Sequence, residues 1–134
     1  EAADLSYIED AVFNCQAQRI GHGWQIIDGC QYKNDTYIPN SKIAQYVLDK
    51  QIPLEICISS NVKSGASSVT IENHPAIKLL KSGFKVTLNS DNRLMAKTKI
   101  SEEFKKAENY LELDGNLHSQ LVKNAIDARF TNLK

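Results

Sequence analysis

The sequence VTLNSDNRLM, residues 86–95, indicates a short buried strand that ends in a polar corner. Val86 and Leu88, with Phe84 before them, give the stretch its apolar, partly β-branched strand character. Asp91 follows where this strand ends, and an acidic side chain there is costly unless it is paired or bound to a metal. The Asn-Ser-Asp-Asn composition is also typical of a plain turn, whose side chains bond their own backbone. On this stretch alone, both interpretations of Asp91 are open.

The overall composition is that of an ordinary globular protein. The chain has 134 residues, of which 42% are hydrophobic and 24% are charged, and this length suits a single domain, 1–134. The formal net charge is zero, so no basic field favours nucleic acid or an anionic membrane as a partner. No apolar run approaches the roughly 20 residues that a membrane-spanning helix needs. Three cysteines without CxxC spacing argue against a disulfide framework, and we expect a reducing cytoplasm.

Strands and helices alternate along the sequence. This order predicts βαβ units, a parallel sheet and the α/β class. Residues 28–40 and 62–73 are polar and are expected to be loops, the first with room for a short helical turn. Apolar spacing and capping residues predict five helices: about 5–16 (capped by Asp4 or Ser6), 41–50 (capped by Asn40 or Ser41), 74–83, Ser101 to about Leu111, and 117–129. Strands are predicted before His22, over 53–58 and over 86–88.

The three predicted strands end near His22, Ser60 and Asp91. Ligands bind at the carboxyl ends of the strands in α/β sheets and barrels, so three polar corners in register indicate a site. His22 lies between two glycines, which favours a site role over core packing. Ser60 and Asn61 are equally compatible with turn chemistry. The residues by themselves therefore predict a βα-repeat domain with a metal or acid–base site built from His22 and Asp91.

Other reactive side chains have plainer interpretations. His74 precedes Pro75 at a helix start, where capping is the expected role. His118 lies in the first turn of the last predicted helix and is expected to face solvent. Cys57 is expected to be a buried residue without chemistry.

Several blocks of sequence together resemble the carboxy-terminal part of the adenosine deaminase family, within the amidohydrolase superfamily. The blocks occur in the family's order and spacing over nearly the whole chain. They are RIGHG at 19–23, PLEICISSN at 53–61 with Gly65-Ala66, HPAI at 74–77 and VTLNSDNRLM at 86–95, with a weaker closing motif NAIDARF at 124–130.

The resemblance implies a partial (β/α)8 TIM barrel. The chain would supply the last three βα units and the C-terminal helices, while the paired histidine ligands of the first strand are absent from it. A missing amino-terminal half would then be the expected partner, and without that half we expect self-association through open sheet edges. Zinc is the implied cofactor, but two ligands cannot close a tetrahedral site, so the chain alone should bind it weakly or not at all.

The resemblance also implies roles for particular residues. Asp91 would be a zinc ligand, His22 would orient the attacking hydroxide, and Glu1 would deliver a proton to purine N1. Asn92, where the family more often has an aspartate, would donate to purine N7. Ser60 and Asn61 would orient His22 or Asp91.

The implied activity is the zinc-dependent hydrolytic deamination of adenosine and 2′-deoxyadenosine to inosine and ammonia. It would belong to the complete enzyme, and we expect the chain alone to be inactive. Deamination of adenine or another aminopurine, and a non-catalytic remnant or interaction domain, are the alternatives.

Overall fold

The computed structural model describes residues 3–64 and 69–130, which contain helices around a small parallel sheet and a separate hairpin. The α-helices are α1 (Leu5–Phe13), α2 (Lys42–Asp49), α3 (Ile58–Lys63), α4 (Ala76–Lys81), α5 (Arg93–Ala96), α6 (Ile100–Tyr110) and α7 (Gly115–Asp127). The strands are β1 (Ile20–Gly21), β2 (Cys30–Lys33), β3 (Thr36–Pro39), β4 (Leu54–Ile56) and β5 (Val86–Leu88), and a 3₁₀ helix spans Trp24–Gly29.

The sheet is parallel, with strand order β1-β4-β5. Ile20 is in register with Leu54, and Leu54 with Val86, so the carboxyl ends of the three strands lie along one edge. Successive residues of a strand point to opposite faces. Leu54 and Ile56 are completely buried in the apolar core, whereas Glu55 between them is only half-buried on the other face. The predicted α/β class and parallel sheet are confirmed.

Most of the predicted helices occur, with shifted ends. Asp4 caps α1 and Ser41 caps α2, as two of the sequence predictions allowed, but α1 ends at Phe13 instead of about residue 16. The predicted Ser101 cap is wrong, because α6 begins at Ile100 with Lys99 in the capping position. The last helix begins two residues earlier than expected, since the Asp114 side chain accepts a hydrogen bond from the Leu117 amide at 2.8 Å.

The loop predicted over residues 28–40 is wrong, because most of it is the antiparallel hairpin of β2 and β3. Asn34 and Asp35 link the two strands with φ of 50° and 60°. Two consecutive left-handed residues are what a type I′ turn requires, and Asn and Asp tolerate that backbone. The short polar pair between β-forming residues was therefore the local signal for a hairpin.

The loop predicted over residues 62–73 was placed too early in the sequence, because residues 62 and 63 still belong to helix α3. Helix α3 starts directly after Cys57 and continues to Lys63, so Ser59, Ser60 and Asn61 are helical residues and not part of a turn. A further short helix, α5, follows the β5 corner and was not predicted. Within the part of the chain that the structure describes, no helix is long and apolar enough to cross a lipid bilayer.

Arg19, directly before β1, connects the two ends of the chain. Its guanidinium donates a hydrogen bond to the Ala128 carbonyl at 3.1 Å, and it lies 3.9 Å from the centre of the Phe130 ring. Its Nε also lies 3.0 Å from the Glu55 carboxylate on β4. The segment after α7 is thereby held against the amino-terminal end of the strand that leads to His22.

Candidate functional site

The carboxyl edge of the parallel sheet brings three of the sequence-predicted residues together. The His22 amide donates to the Glu55 carbonyl at 3.0 Å, which extends the β1–β4 ladder to this histidine. The Ser60 hydroxyl donates to Asp91 Oδ2 at 2.6 Å, and His22 Nε2 lies 3.9 Å from the same oxygen. An imidazole, a hydroxyl and a carboxylate thus converge at the ends of adjacent strands, as the sequence pattern predicted.

His22 and Asp91 share an unusual backbone conformation. Their φ angles are 62° and 53°, in the left-handed region that is uncommon for residues with a Cβ. The surrounding structure must hold such residues in place. The same conformation also occurs away from this edge, at Gln16, Asn34, Asp35, Gln51, Lys97 and Glu112. Gly23 follows with φ of 65°, and a Cβ there would come within 2.8 Å of a Leu54 methyl carbon. The glycine after His22 is therefore required by packing as well as by backbone geometry.

Asn61 connects the site to the protein interior. It is only 1% exposed, and its side-chain nitrogen lies 2.8 Å from His22 Nδ1. Its side-chain oxygen lies 3.2 Å from Nε2 of His74. Helix α3 begins immediately after β4 and points Asn61 inward, while Ser60, the preceding helical residue, points to Asp91.

His74 is buried at the start of the α4 segment, with 1% of its surface exposed. Its Nδ1 accepts a hydrogen bond at 3.2 Å from the amide of Ala76, the first residue of α4, as the predicted role at a helix start requires, although Pro75 occupies the capping position itself. Burial lowers the pKa of His74 to about 4, although the negative charge of Glu103 acts in the opposite direction. His74 is therefore neutral in the folded protein at neutral pH.

Glu103 lies at the centre of a second polar cluster behind α3. It is completely buried and accepts hydrogen bonds from the Ser59 amide at 3.0 Å, from the Ser59 hydroxyl, and from the Thr98 hydroxyl at 2.7 Å. Lys106 Nζ lies 3.3 Å from its carboxylate. Burial would raise the pKa of Glu103, but the hydrogen bonds from Ser59 and Thr98 and the charge of Lys106 outweigh it and lower the pKa.

Two other predicted site residues are not part of this convergence. Glu1 lies outside the described residues. Asn92 is exposed, and its side-chain oxygen accepts a hydrogen bond from the Met95 amide at 3.0 Å, so that Asn92 caps α5. The cap leaves the amide nitrogen of Asn92 as its donor group, next to Asp91 in sequence.

The sequence interpretation missed the buried polar residues behind the site. His74 was assigned a capping role only, and Glu103 was not singled out. A signal for Glu103 exists, because it precedes Ala107 and Leu111 at four-residue spacing, and both of those residues are buried. An acidic residue on the apolar stripe of a helix must be paired, which would have pointed to a buried cluster.

His22 and Asp91 offer a nitrogen and a carboxylate oxygen, both common zinc ligands. Among residues 3–64 and 69–130, however, no group of three or more histidine, cysteine, aspartate or glutamate residues could hold a metal ion. The donor set therefore fits part of a zinc site, and other ligands would have to come from outside these residues.

Comparison with known proteins identifies the family. The family model described as adenosine deaminase matches residues 1–134. An adenosine deaminase of Mycobacterium marinum is 44% identical over 103 residues, which are 77% of this chain and 28% of that protein. The chain thus spans less than a third of the length of this relative.

Solved structures show the same fold. The crystal structure of an adenine deaminase from Arthrobacter aurescens matches 98% of this chain and 36% of its own, with a TM-score of 0.82 and 25% identity. An amidohydrolase from Burkholderia ambifaria, solved with bound zinc, matches 97% of this chain and 33% of its own, with a TM-score of 0.76 and 19% identity. The family match over the full chain and the convergence of His22, Ser60 and Asp91 lead to one conclusion: the chain belongs to the adenosine deaminase family.

Proposed function

We propose that the complete protein catalyses the zinc-dependent hydrolytic deamination of adenosine and 2′-deoxyadenosine, giving inosine or 2′-deoxyinosine and ammonia. The observation that carries this proposal is the contact of Asp91 with Ser60, 3.9 Å from His22, at the strand ends of a chain that belongs to a deaminase family. Because the chain covers 28% of its relative from Mycobacterium marinum, the activity is proposed for the longer protein and not for these residues alone.

The proposed roles follow from the chemistry of each side chain. Zinc, when bound, lowers the pKa of a water so that hydroxide is available near neutral pH. Asp91 would hold the metal through its carboxylate, and Ser60 would fix the orientation of that carboxylate. His22 would orient the attacking oxygen from its Nε2 side. Glu1 would protonate purine N1, and the Asn92 amide would donate to purine N7.

We propose further that β1, β4 and β5 are the sixth, seventh and eighth strands of a (β/α)8 barrel. Their parallel order and the convergence of polar residues at one edge support this assignment. The remaining zinc ligands would come from the amino-terminal strands of the same barrel, which would also cover the free edge of β1. We infer a cytoplasmic location, because Cys15, Cys30 and Cys57 form no disulfide within the described residues, and Cys15 is exposed.

Adenine or another aminopurine is the second candidate substrate. Two observations favour it: a structure that closely matches this fold is an adenine deaminase, and Asn92 stands where the adenosine deaminases more often have an aspartate. A non-catalytic remnant is the third possibility, and it predicts an intact fold without any deamination.

The test follows deamination of adenosine, 2′-deoxyadenosine and adenine by the complete protein, through the change in purine absorbance. Asp91→Asn should lower kcat/KM by more than about 100-fold, because an amide is a poor metal ligand. Asp28→Asn, a substitution of an exposed aspartate outside the site, should leave the rate unchanged. Activity on adenine alone would favour the second candidate, and no activity on any of the three would overturn the proposal.

A further inference from the structure

We propose that His74 is a positioning residue which, through Asn61, fixes His22 in the tautomer that carries its proton on Nε2. The three side chains form a continuous line from the start of α4 to the candidate site. This proposal rests on the proposed function, because only the deamination gives the tautomer of His22 a catalytic purpose. The direction of the hydrogen bonds follows from the geometry alone.

The direction is set by a backbone amide. The Ala76 amide is a donor only, and it points at His74 Nδ1 at 3.2 Å. Nδ1 must therefore carry a lone pair and accept. A neutral imidazole has one protonated nitrogen, so the proton of His74 is on Nε2. Nearly complete burial of His74 favours this neutral form.

The proton on His74 Nε2 then fixes the orientation of the Asn61 amide. Nε2–H donates to the Asn61 side-chain oxygen at 3.2 Å, which leaves the amide nitrogen facing His22. The reversed amide would direct an N–H at Nε2 and would need a lone pair there. His74 would then be protonated on Nδ1, where the Ala76 amide already donates. The reversed orientation therefore sets two donors against each other and leaves a buried donor unsatisfied, which is strongly unfavourable.

The Asn61 amide nitrogen transmits this choice to His22. It lies 2.8 Å from His22 Nδ1 and can only donate, so Nδ1 accepts and neutral His22 carries its proton on Nε2. Nε2 is the nitrogen on the Asp91 side, 3.9 Å from Oδ2. In this tautomer His22 is a hydrogen-bond donor toward the reacting groups, and its lone pair faces Asn61. His22 would orient an oxygen nucleophile and stabilise negative charge, without taking a proton on the reacting side.

The tautomer can be read directly from imidazole ¹⁵N shifts. The complete protein, labelled with ¹⁵N-histidine, is measured at about pH 8, above the ordinary histidine pKa. Two-bond ¹H–¹⁵N correlations, assigned through single His→Gln substitutions, should show both His22 and His74 protonated on Nε2. Asn61→Asp, which replaces the donor by an acceptor of the same shape, should move the His22 proton to Nδ1.

Variants at His74 separate positioning from structure. His74→Leu removes the donor to Asn61, so His22 should populate both tautomers and kcat should fall by about 10–100-fold with KM little changed. His74→Gln keeps an N–H donor near the Nε2 position and should restore the Nε2–H signature and most of the rate. His118→Gln, a substitution of a histidine that packs on Phe104 away from this line, should change neither.

Two results would overturn the inference: Nδ1–H on His22 in the unchanged protein, or an unaltered His22 pattern in Asn61→Asp. Neither result requires the protein to be active or the His74→Leu variant to fold. If the protein does not deaminate purines while the Nε2–H pattern is found, the proposed function fails and the tautomer assignment stands.

Discussion

His22 combines a left-handed backbone with a side chain whose Nδ1 lies 2.8 Å from the Asn61 amide nitrogen and whose Nε2 lies 3.9 Å from Asp91 Oδ2. The φ of His22 is 62°, its amide donates a hydrogen bond to the Glu55 carbonyl, and its ring contacts the Asn61 side chain. An L-residue in the left-handed region costs roughly 1–2 kcal/mol relative to glycine. The backbone at this position therefore favours glycine, and the histidine is retained in spite of it.

Two substitutions that both delete the imidazole test this view. His22→Gly should be about 1 kcal/mol more stable than His22→Ala, because only glycine relieves the left-handed backbone. At an ordinary helical or extended position the order is reversed, since glycine is then less stable by roughly 0.5–1 kcal/mol. Urea unfolding of the two variants gives the difference, and an alanine variant as stable as the glycine variant would contradict the strain argument.

The low pKa of His74 should make the stability of the folded protein depend on pH. Its folded pKa of about 4 lies below the ordinary value of 6.5, because burial disfavours the charged ring. Above about pH 6.5 the ring is neutral in both states. As the pH falls from there to about 4, the unfolded chain takes up a proton that the folded chain does not, and stability declines by about 3 kcal/mol in total.

The measurement is the free energy of unfolding at several pH values in this window. His74→Gln should flatten the curve, since it has no group that titrates there. Ser119→Ala, a substitution of an exposed residue that does not titrate, is the control and should keep the slope. Glu103, whose pKa is lowered, contributes at more acidic pH and does not produce the same window. An equal slope in the His74→Gln variant would show that another group titrates.

At the residue scale, His22 and Asp91 could be predicted because they follow strand ends and border glycine or turn-forming neighbours. Their roles as catalytic residue and metal ligand stay predictions. His74 and Glu103 could be identified only in part, because their burial depends on residues distant in sequence, such as Asn61 and Trp24 for His74 and Ser59 for Glu103. Tertiary packing of this kind leaves a trace in sequence only as a polar residue on an apolar stripe.

At the scale of elements, the Glu103 cluster holds α6 against the start of α3. The carboxylate satisfies the Ser59 amide at 3.0 Å and the Thr98 hydroxyl at 2.7 Å, so it joins α6 and the residues just before it to the start of α3, which is distant in sequence. Helix α3 in turn carries Ser60 and Asn61, whose side chains reach Asp91 and His22. The buried carboxylate therefore stabilises the helix on which the site depends.

Glu103→Gln should cost roughly 2–3 kcal/mol of stability, because the amide loses charge-assisted hydrogen bonds and places a donor among donors. Chemical denaturation gives this value. Glu102→Gln is the control: Glu102 lies 4.0 Å from Lys99 in a partly exposed pair, and its replacement should change stability by less than about 0.5 kcal/mol. Equal effects of the two substitutions would refute the role given to the cluster.

Helix and strand order could be predicted at this scale because apolar periodicity survives in a single sequence. The hairpin of β2 and β3 was missed because its turn residues, Asn34 and Asp35, resemble a loop when no glycine is present. Helix α3 was missed because Ser-Ser-Asn is typical of turns, and only packing against α6 supplies the buried carboxylate that satisfies the Ser59 amide.

At the scale of the whole molecule, the edges of the parallel sheet are the feature that indicates a binding partner. In the part of the chain that the structure describes, β1 and β5 each pair with one neighbouring strand only. Unpaired strand edges favour association with other chains. The chain on its own should therefore form dimers or larger species in sedimentation velocity, and a monodisperse monomer would contradict this.

Joining the chain to the remaining strands of the proposed barrel should both abolish this association and complete the metal site. Metal analysis after dialysis should give little zinc in the 134-residue chain and about one ion in the complete protein. The fold class could be predicted from sequence at this scale. The partner was expected only from the family resemblance, because the residues that would cover a sheet edge leave no pattern in the edge itself, and it stays a prediction.

The RIGHG block contains both a residue with structural contacts, Arg19, and a residue of the candidate site, His22. Arg19 opens the RIGHG block, yet its contacts are with the Glu55 carboxylate on β4 and, beyond α7, with the Ala128 carbonyl and the Phe130 ring. Selection for those contacts would preserve the arginine in a descendant that had lost all chemistry. Genome searches that count RIGHG as evidence of catalysis would therefore over-assign deaminases, and His22 and Asp91 should be scored separately from Arg19.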